Sequence, residues 1–258
     1  MTTQTKLYER AKELRFYGLL SCWDELKDMD WVEQLLGIEE EERKSRSLER
    51  RIRLAKIGQF KPLSDFDWEW PEKSDREQVE ELMGLSFLEE SANVVILGPN
   101  GVGKTTIAQN LAYQAILKGH TVLCTSCSAM LADLAIQDTS TALQRRLKRY
   151  TGPSLLLIDE VGYLSYDSKH GDLLFEVISK RHAEKSIVLT TNKVFKEWNE
   201  IFPSSSCVTA LVDRLVHKTE IVQIAGKSYR AKEAEERAAA KAKARASKRR
   251  QAKRKLKP

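Results

Sequence analysis

An eight-residue stretch, GPNGVGKT at residues 98–105, limits the architectures open to this chain more than any other part of its sequence. It fits the pattern G-x-x-x-x-G-K-[S/T] at every position. The preceding NVVIL predicts a buried strand, and the following KTTIAQNLAYQAILKG predicts a helix that ends at Gly119. This order predicts a phosphate-binding loop (P-loop), because successive backbone N–H groups and a helix N-terminus then converge on one anion.

The residue types in the P-loop predict how a nucleoside triphosphate binds. Lys104 is expected to reach the β- and γ-phosphates, and the Thr105 hydroxyl is expected to bind Mg²⁺. The predicted nucleotide-binding residues are Gly98, Pro99, Asn100, Gly101, Val102, Gly103, Lys104, Thr105 and Thr106.

Two adjacent carboxylates, Asp159 and Glu160, end the apolar run SLLLI. In a P-loop fold the carboxyl end of another parallel strand lies beside the phosphates. We therefore expect Asp159 to bind Mg²⁺ together with Thr105, and Glu160 to activate the attacking water. This assignment predicts ATP hydrolysis. The alternative, two structural acids at a strand end, leaves the apolar strand and the P-loop unconnected.

A third polar strand end is the TTN of SIVLTTN, residues 186–192. Its strand is expected between the other two, and Asn192 is predicted to position the attacking water or to sense the γ-phosphate. The continuation NKVF begins like the guanine-reading N-K-x-D motif, but Phe195 stands where guanine recognition needs an aspartate. ATP is therefore favoured over GTP.

Arg214 interrupts an apolar helical run in ALVDRLVHKTE. One interpretation is a structural ion pair with Asp213, and the other is an arginine finger that reaches the γ-phosphate of a neighbouring subunit. Its place after the polar strand and before the last strand favours the finger in trans, which requires a homo-oligomer.

Five apolar runs alternate with helical segments and predict an α/β fold, a five-stranded parallel sheet covered by helices. We expect a small all-α domain over 1–68, an ATPase domain over 69–230 and a basic tail over 231–258.

The stretch FKPLSDFDWEWPEKSD predicts a linker that lies against a body, with Trp68 and Trp70 as packing anchors. CTSC has no second pair of metal ligands in sequence and favours a structural role for Cys124 and Cys127.

The net charge of +6 is unevenly distributed. Residues 231–258 contain 12 Lys or Arg and 3 Glu, a net +9, which leaves a net −3 for residues 1–230. No apolar run is long enough to span a membrane, and the charged N-terminal residues do not fit a signal peptide. The sequence therefore predicts a cytoplasmic protein without a membrane partner.

The ordered motifs GPNGVGKT, LLLIDE, VLTTN and VDRL resemble those of AAA+ ATPases, and IAGKSYR is similar to the DnaC and IstB branch. The segment EEEERKSRSLERRIRLAKIGQFKPLSDFDWEW resembles IstB-type transposition helpers in particular. This resemblance implies an ATPase that assembles on target DNA and delivers it to a partner transposase. Too little apolar sequence follows Tyr229 for the usual helical lid, so Arg230 is the candidate for the missing lid arginine.

Residues 128–153 leave room for two helices before the next strand, and the second, TALQRRLKRY, is strongly basic. A solvated helix face is one interpretation. The resemblance to DnaA- and DnaC-like proteins favours the other, contact with double-stranded DNA. The candidate residues are Arg145, Arg146, Lys148, Arg149 and, more weakly, Lys169.

Ten of residues 241–258 are Lys or Arg, which suits phosphate neutralisation. Protein docking and solubilisation are alternative roles for this tail.

Three functions are compatible with these motifs. The leading hypothesis is an ATP-hydrolysing helper of an insertion element that oligomerises on target DNA and passes it to a transposase. The second is a DnaC-like loader of a replicative helicase. The third is a nucleotide-gated DNA scaffold that does not hydrolyse ATP, which Glu160 argues against.

Overall fold

The computed structural model describes residues 3–163, 166–202 and 206–241. It divides into two compact units, Met1–Arg53 and Leu54–Pro258. The tail residues 242–258, for which DNA contact is predicted above, lie outside the described ranges. Among the helices described, none is long and apolar enough to cross a membrane.

The first unit is helical. It contains α1 (Thr3–Glu13), α2 (Tyr17–Ser21), α3 (Trp23–Leu26) and most of α4 (Asp30–Ala55). Its small core consists of Leu7, Ala11, Leu14, Val32 and Leu36. The Arg10 guanidinium also donates two hydrogen bonds, of 2.7 and 3.0 Å, to the Glu40 carboxylate. The helical N-terminal segment predicted from the sequence is thereby confirmed.

The second unit is built on a five-stranded sheet with the strand order β2-β3-β4-β1-β5. The strands are β1 (Asn93–Leu97), β2 (Val122–Ser126), β3 (Leu155–Val161), β4 (Ser186–Thr191) and β5 (Thr219–Gln223). All four neighbouring pairs are parallel. The α/β prediction is confirmed, and β4 lies between β1 and β3, so the three polar strand ends meet at one edge of the sheet.

Helices cover this sheet. They are α5 (Arg76–Leu82), α6 (Ser86–Glu89), α7 (Lys104–Leu117), α8 (Cys127–Ala135), α9 (Ser140–Thr151), α10 (Ser168–Arg181), α11 (Trp198–Ile201) and α12 (Val208–Val216). Two helices, α8 and α9, separate β2 from β3, as the length of that interval predicted. A last helix occupies 229–241 and is called the C-terminal helix below. From residue 234 to 241 it is exposed throughout, in agreement with its lack of large apolar residues.

A fully buried arginine ties α9 to the start of two strands. Arg181 donates hydrogen bonds to the carbonyl oxygens of Tyr150 and Pro153, both at 2.9 Å. It also donates to the carbonyls of Ser154 and Ser186, at 3.1 and 2.6 Å. Burial lowers the pKa of Arg181 to about 10, which leaves it charged at neutral pH. These four hydrogen bonds offset part of the cost of burying the charge.

Residues 54–75 open the second unit and run across α7. The Asn110 side chain accepts a hydrogen bond from the Leu63 backbone N–H at 3.0 Å and donates to the Lys61 carbonyl at 2.9 Å. Lys73 then pairs with Ala225 as an isolated antiparallel bridge. We call residues 59–71 the strap. Since it contacts α7 and, through its continuation, the chain after β5, the strap lies against the sheet-containing body of this unit, as predicted for the linker.

Candidate active site

The P-loop connects β1 to α7 through two glycines with left-handed backbone angles. Gly101 has φ = 82° and Gly103 has φ = 102°. A Cβ atom at position 101 would lie 2.1 Å from the Ser228 hydroxyl oxygen, and one at position 103 would lie 2.4 Å from Cε2 of Phe66. Both backbone angle and space therefore require glycine at these positions.

The Lys104 ammonium lies inside the P-loop, and its hydrogen bonds with described residues all go to neutral oxygen atoms. Its Nζ donates to the carbonyls of Gly98 and Pro99 at 2.8 Å and to the Tyr163 hydroxyl at 3.3 Å. Burial lowers its pKa to about 8, although the nearby Asp159 carboxylate acts in the opposite direction. The structure therefore holds a largely desolvated cation at the site predicted for the phosphates.

Asp159 and Thr105, the residues predicted to bind Mg²⁺, lie next to each other. The Thr105 hydroxyl is 3.1 Å from both carboxylate oxygens of Asp159. A second hydroxyl, that of Thr190 on β4, also donates to Asp159. Because hydroxyl and carboxylate oxygens are the ligands that Mg²⁺ prefers, this arrangement fits the ion.

Glu160 occupies an irregular position at the end of β3. The register between β3 and β4 shifts between Ile158 and Val161, and Glu160 has a φ of 62°. Its backbone N–H donates to the Thr190 hydroxyl at 2.9 Å. A left-handed non-glycine residue costs about 1–3 kcal/mol and persists where surrounding contacts fix it, commonly at functional sites. The bulge directs the exposed Glu160 side chain into the cavity described below.

Asn192 lies beyond the end of β4 beside the turn that follows Glu160. Its side-chain oxygen is buried and has no hydrogen-bond partner within the described ranges. A Cβ atom at Gly162 would lie 3.3 Å from this oxygen. Asn192 does not line the cavity, so its predicted contact with the attacking water stays a prediction.

Arg214 faces α10 rather than the P-loop of its own chain. Its guanidinium donates to the Ser179 hydroxyl and lies 4.6 Å from the centre of the Phe175 ring. Among the described side chains it forms no ion pair with Asp213, the partner that the structural interpretation required. The structure therefore leaves Arg214 outside the cavity, held by a hydroxyl and an aromatic ring.

A cavity of about 580 Å³ lies beside the P-loop and receives residues from three parts of the unit. The P-loop and β3 contribute Lys104, Thr105 and Glu160, the strap contributes Phe66 and Trp70, and the chain after β5 contributes Tyr229 and Arg230. The sequence interpretation missed the role of Phe66, Trp70 and Tyr229 in this cavity. The dense aromatic content of DFDWEW was the available signal, and it was assigned to packing alone.

Side-chain contacts join the strap to the C-terminal helix along the wall of this cavity. Lys61 pairs with Glu233 at 2.6 Å, and Asp67 pairs with Lys232 at 3.1 Å. The Lys232 ammonium also lies 4.2 Å from the centre of the Trp70 ring. We call these contacts the strap–helix clasp.

Backbone contacts anchor both sides of the strap–helix clasp. The Trp70 indole N–H donates to the Lys227 carbonyl at 3.0 Å. The Tyr229 N–H donates to the Gly101 carbonyl at 2.9 Å. The start of the C-terminal helix is thus attached directly to the P-loop. Arg230, the candidate for the missing lid arginine, lines the cavity beside this contact.

The five side chains predicted to bind DNA divide into two groups. Arg146 forms two hydrogen bonds with Asp133, and Arg149 lies 3.6 Å from the same carboxylate. Lys169 donates to the Ala135 carbonyl at 2.7 Å. The helical periodicity predicted that Arg146 and Arg149 point outward, but both are drawn towards Asp133 on α8, whereas Lys169 is exposed. Arg145 and Lys148 are exposed.

Comparison with known proteins relates the chain to proteins of bacterial insertion sequences. The model of the family described as IstB-like ATP binding protein matches residues 6–237. The protein named as the ATP-binding protein of insertion sequence IS232 of Bacillus thuringiensis subsp. berliner is 33% identical over 88% of this chain and 91% of its own length. That of IS21 of Pseudomonas aeruginosa is 38% identical over 74% of this chain and 72% of its own length.

Solved structures show the same fold at lower identity. The crystal structure of DnaI covers 67% of this chain and 93% of its own chain, with a TM-score of 0.54 and 15% identity. The replication initiator DnaA bound to AMPPCP and single-stranded DNA covers 62% of this chain and 51% of its own, with a TM-score of 0.50 and 20% identity.

Proposed function

Because the chain belongs to the family of IstB-like ATP binding proteins, we propose that it is an ATPase that assembles on target DNA and delivers it to the transposase of an insertion element. The observation that carries the ATPase assignment is the juxtaposition of Thr105, Asp159 and Glu160 beside the P-loop lysine. The insertion-sequence context of the relatives supports the transposase as partner.

The residues of the site divide the work of hydrolysis. Lys104 and the P-loop N–H groups bind the phosphates, and Thr105 and Asp159 hold Mg²⁺, which supplies neutralisation of charge on the phosphate oxygens. Glu160 accepts a proton from the attacking water. Its strained backbone and its hydrogen bond to Thr190 keep the carboxylate at the mouth of the cavity.

The strap supports recognition of the nucleoside part. Phe66, Trp70 and Tyr229 give the cavity aromatic surface, on which a purine ring stacks favourably. Arg230 adds a positive charge among the same lining residues and takes the place of the lid arginine.

Completion of the site requires a second subunit. Arg214, on α12, does not line the cavity of its own chain. Its contacts with Ser179 and Phe175 hold the guanidinium against α10. We propose that it reaches the γ-phosphate bound to a neighbouring copy. Exposed Arg145 and Lys148, with the basic tail, then contact the DNA backbone along the assembly.

Mixing two inactive variants tests the shared site. Glu160→Gln lacks the base and Arg214→Ala lacks the finger, so each alone is expected to hydrolyse little ATP on duplex DNA. In a mixture, an Arg214→Ala subunit keeps Glu160 and receives a finger from its Glu160→Gln neighbour, which restores part of the activity. No recovery at any mixing ratio would contradict action in trans.

The client is tested by co-purification in the presence of ATP and duplex DNA. Retention of the transposase encoded by the same element supports the proposal. Retention of a hexameric replicative helicase instead would overturn the assignment of the client without affecting the ATPase assignment.

A further inference from the structure

The two opposite charges at the centre of the site do not pair with each other. Within the described ranges, no ion pair links Lys104 to Asp159 or to Glu160. Lys104 instead contacts two carbonyl oxygens and the Tyr163 hydroxyl. Asp159 accepts hydrogen bonds from the hydroxyls of Thr105 and Thr190. Each charge is thus held by neutral partners. Asp159 still attracts the ammonium from a distance, since its charge acts to raise the pKa of Lys104.

A fixed turn after β3 brings Tyr163 to the ammonium. Glu160 and Gly162 both have left-handed backbone angles, with φ of 62° and 93°. A Cβ atom at Gly162 would lie 3.0 Å from Cδ1 of Ile201, so the turn is closely packed against α11. As a result the Tyr163 hydroxyl lies 3.3 Å from Nζ of Lys104, and its ring centre lies 5.8 Å from the same atom.

A direct ion pair between Lys104 and Asp159 would disable both halves of the site. It would occupy the cation needed for the phosphates and the anion needed for Mg²⁺. Within the described ranges, Tyr163 is the only side chain that accepts a hydrogen bond from the ammonium. Carbonyl groups of the P-loop hold the ammonium on one side, and the Tyr163 oxygen and ring hold it on another.

We propose that Tyr163 is a positioning residue that holds the Lys104 ammonium on neutral oxygen atoms and away from Asp159. A tyrosine suits this role because its hydroxyl accepts a hydrogen bond without adding charge. Burial, followed by the charges of Glu160 and Asp159, raises the pKa of the hydroxyl above its ordinary value. The phenol therefore remains neutral at physiological pH.

The test measures the affinity for ATP in the presence of EDTA, so that metal binding at Asp159 does not contribute. Tyr163→Phe keeps the ring and removes the oxygen, and we expect it to weaken ATP binding about three- to tenfold, the range for loss of one hydrogen bond. The same change in an Asp159→Asn background is expected to cost less than about twofold, because the competing carboxylate is gone.

This dependence on Asp159 separates positioning from a structural role. An equal loss of affinity in both backgrounds, or no loss in either, would overturn the inference. Tyr8→Phe removes the same atom from the N-terminal unit and is the matched control. If Tyr163→Phe does not fold, Tyr163→Gln and Tyr163→Leu provide a second pair, of which only Gln offers an oxygen acceptor and is expected to retain the affinity.

The inference rests on ATP binding at the P-loop, as proposed above. Failure of the unmodified protein to bind ATP would overturn that proposal and the inference together. Normal binding by the unmodified protein with unchanged binding by Tyr163→Phe would overturn the inference alone.

Discussion

The cavity has two sides that are held in different ways. On one side, backbone pairing between adjacent strands joins the P-loop and the tips of β3 and β4. The hydroxyls of Thr105 and Thr190 also donate hydrogen bonds to the Asp159 carboxylate there. On the other, the strap meets the C-terminal helix through pairs of side chains that are 165 and 172 positions apart in sequence. The ion pairs of this second side are partly exposed: 60% of the Lys61 side chain is accessible, but only 26–33% of the side chains of Glu233, Lys232 and Asp67.

This difference separates chemistry from retention of the nucleotide. The strand tips carry the residues to which the proposed function assigns the reaction, and the sheet itself fixes them. In the proposed function, the strap–helix clasp holds the nucleoside through partly exposed ion pairs, which are individually weak. Changes at the strand tips should therefore alter turnover or phosphate binding strongly, whereas changes in the clasp should alter affinity modestly.

Glu160→Gln is expected to have the largest effect on turnover. Loss of a positioned general base lowers kcat by about 10²- to 10⁴-fold, while ATP binding changes little because Lys104 and the P-loop remain. Single-turnover ATPase assays with a parallel binding titration measure both quantities. Equal losses in binding and turnover would show that Glu160 holds the nucleotide instead.

Lys104→Ala is expected to have the largest effect on binding. Removal of a charged hydrogen-bond donor from a buried site weakens ATP binding by roughly 10- to 100-fold. Lys118→Ala, at the exposed end of the same helix, is the matched control. Comparable affinities for both variants would contradict the assignment of Lys104 to the phosphates.

Gly101→Ala tests the point where the two sides meet. The added Cβ would contact Ser228 at 2.1 Å and would also strain a backbone with φ of 82°. We expect the free energy of unfolding in urea to fall by about 2–4 kcal/mol, the sum of strain and overpacking.

Gly58→Ala isolates the contribution of strain in the Gly101→Ala experiment. Gly58 has a φ of 71° and an open site, with no atom within 4 Å of the added Cβ. A loss of about 1–2 kcal/mol is expected there. If both variants lost the same stability, the contact between the P-loop and Ser228 would have no energetic role.

The strap–helix clasp is expected to give the smallest effect. Asp67→Asn removes one ion pair with Lys232 and should weaken ATP binding roughly two- to fivefold without changing kcat at saturation. Glu42→Gln, in a surface pair with Arg46 in the other unit, is the control. A large drop in kcat would remove the distinction between the two sides.

The side of the cavity at the strand tips was predictable from sequence because its chemistry is local. GPNGVGKT and LLLIDE each combine a buried strand with the reacting residues, and parallel pairing then brings Thr105 and Asp159 together. The bulge at Glu160 had no such signal, since a glutamate is not a residue that favours a left-handed backbone.

The strap side was not predictable because its contacts join distant segments. Nothing in DFDWEW specifies that Trp70 meets Lys227 and Lys232, whose positions depend on the path of the chain after β5. The same limit applies to Arg146. Helical periodicity predicted that its side chain points into solvent, but in the structure it pairs with Asp133 on the preceding helix.

The most direct test of the central claim measures ATP turnover per subunit as a function of protein concentration, with saturating Mg·ATP and duplex DNA. A site completed by Arg214 of a neighbouring copy predicts that turnover per subunit rises steeply with concentration and reaches a plateau once the assembly forms. Turnover per subunit that stays constant down to concentrations at which the protein is monomeric would contradict a site shared between subunits.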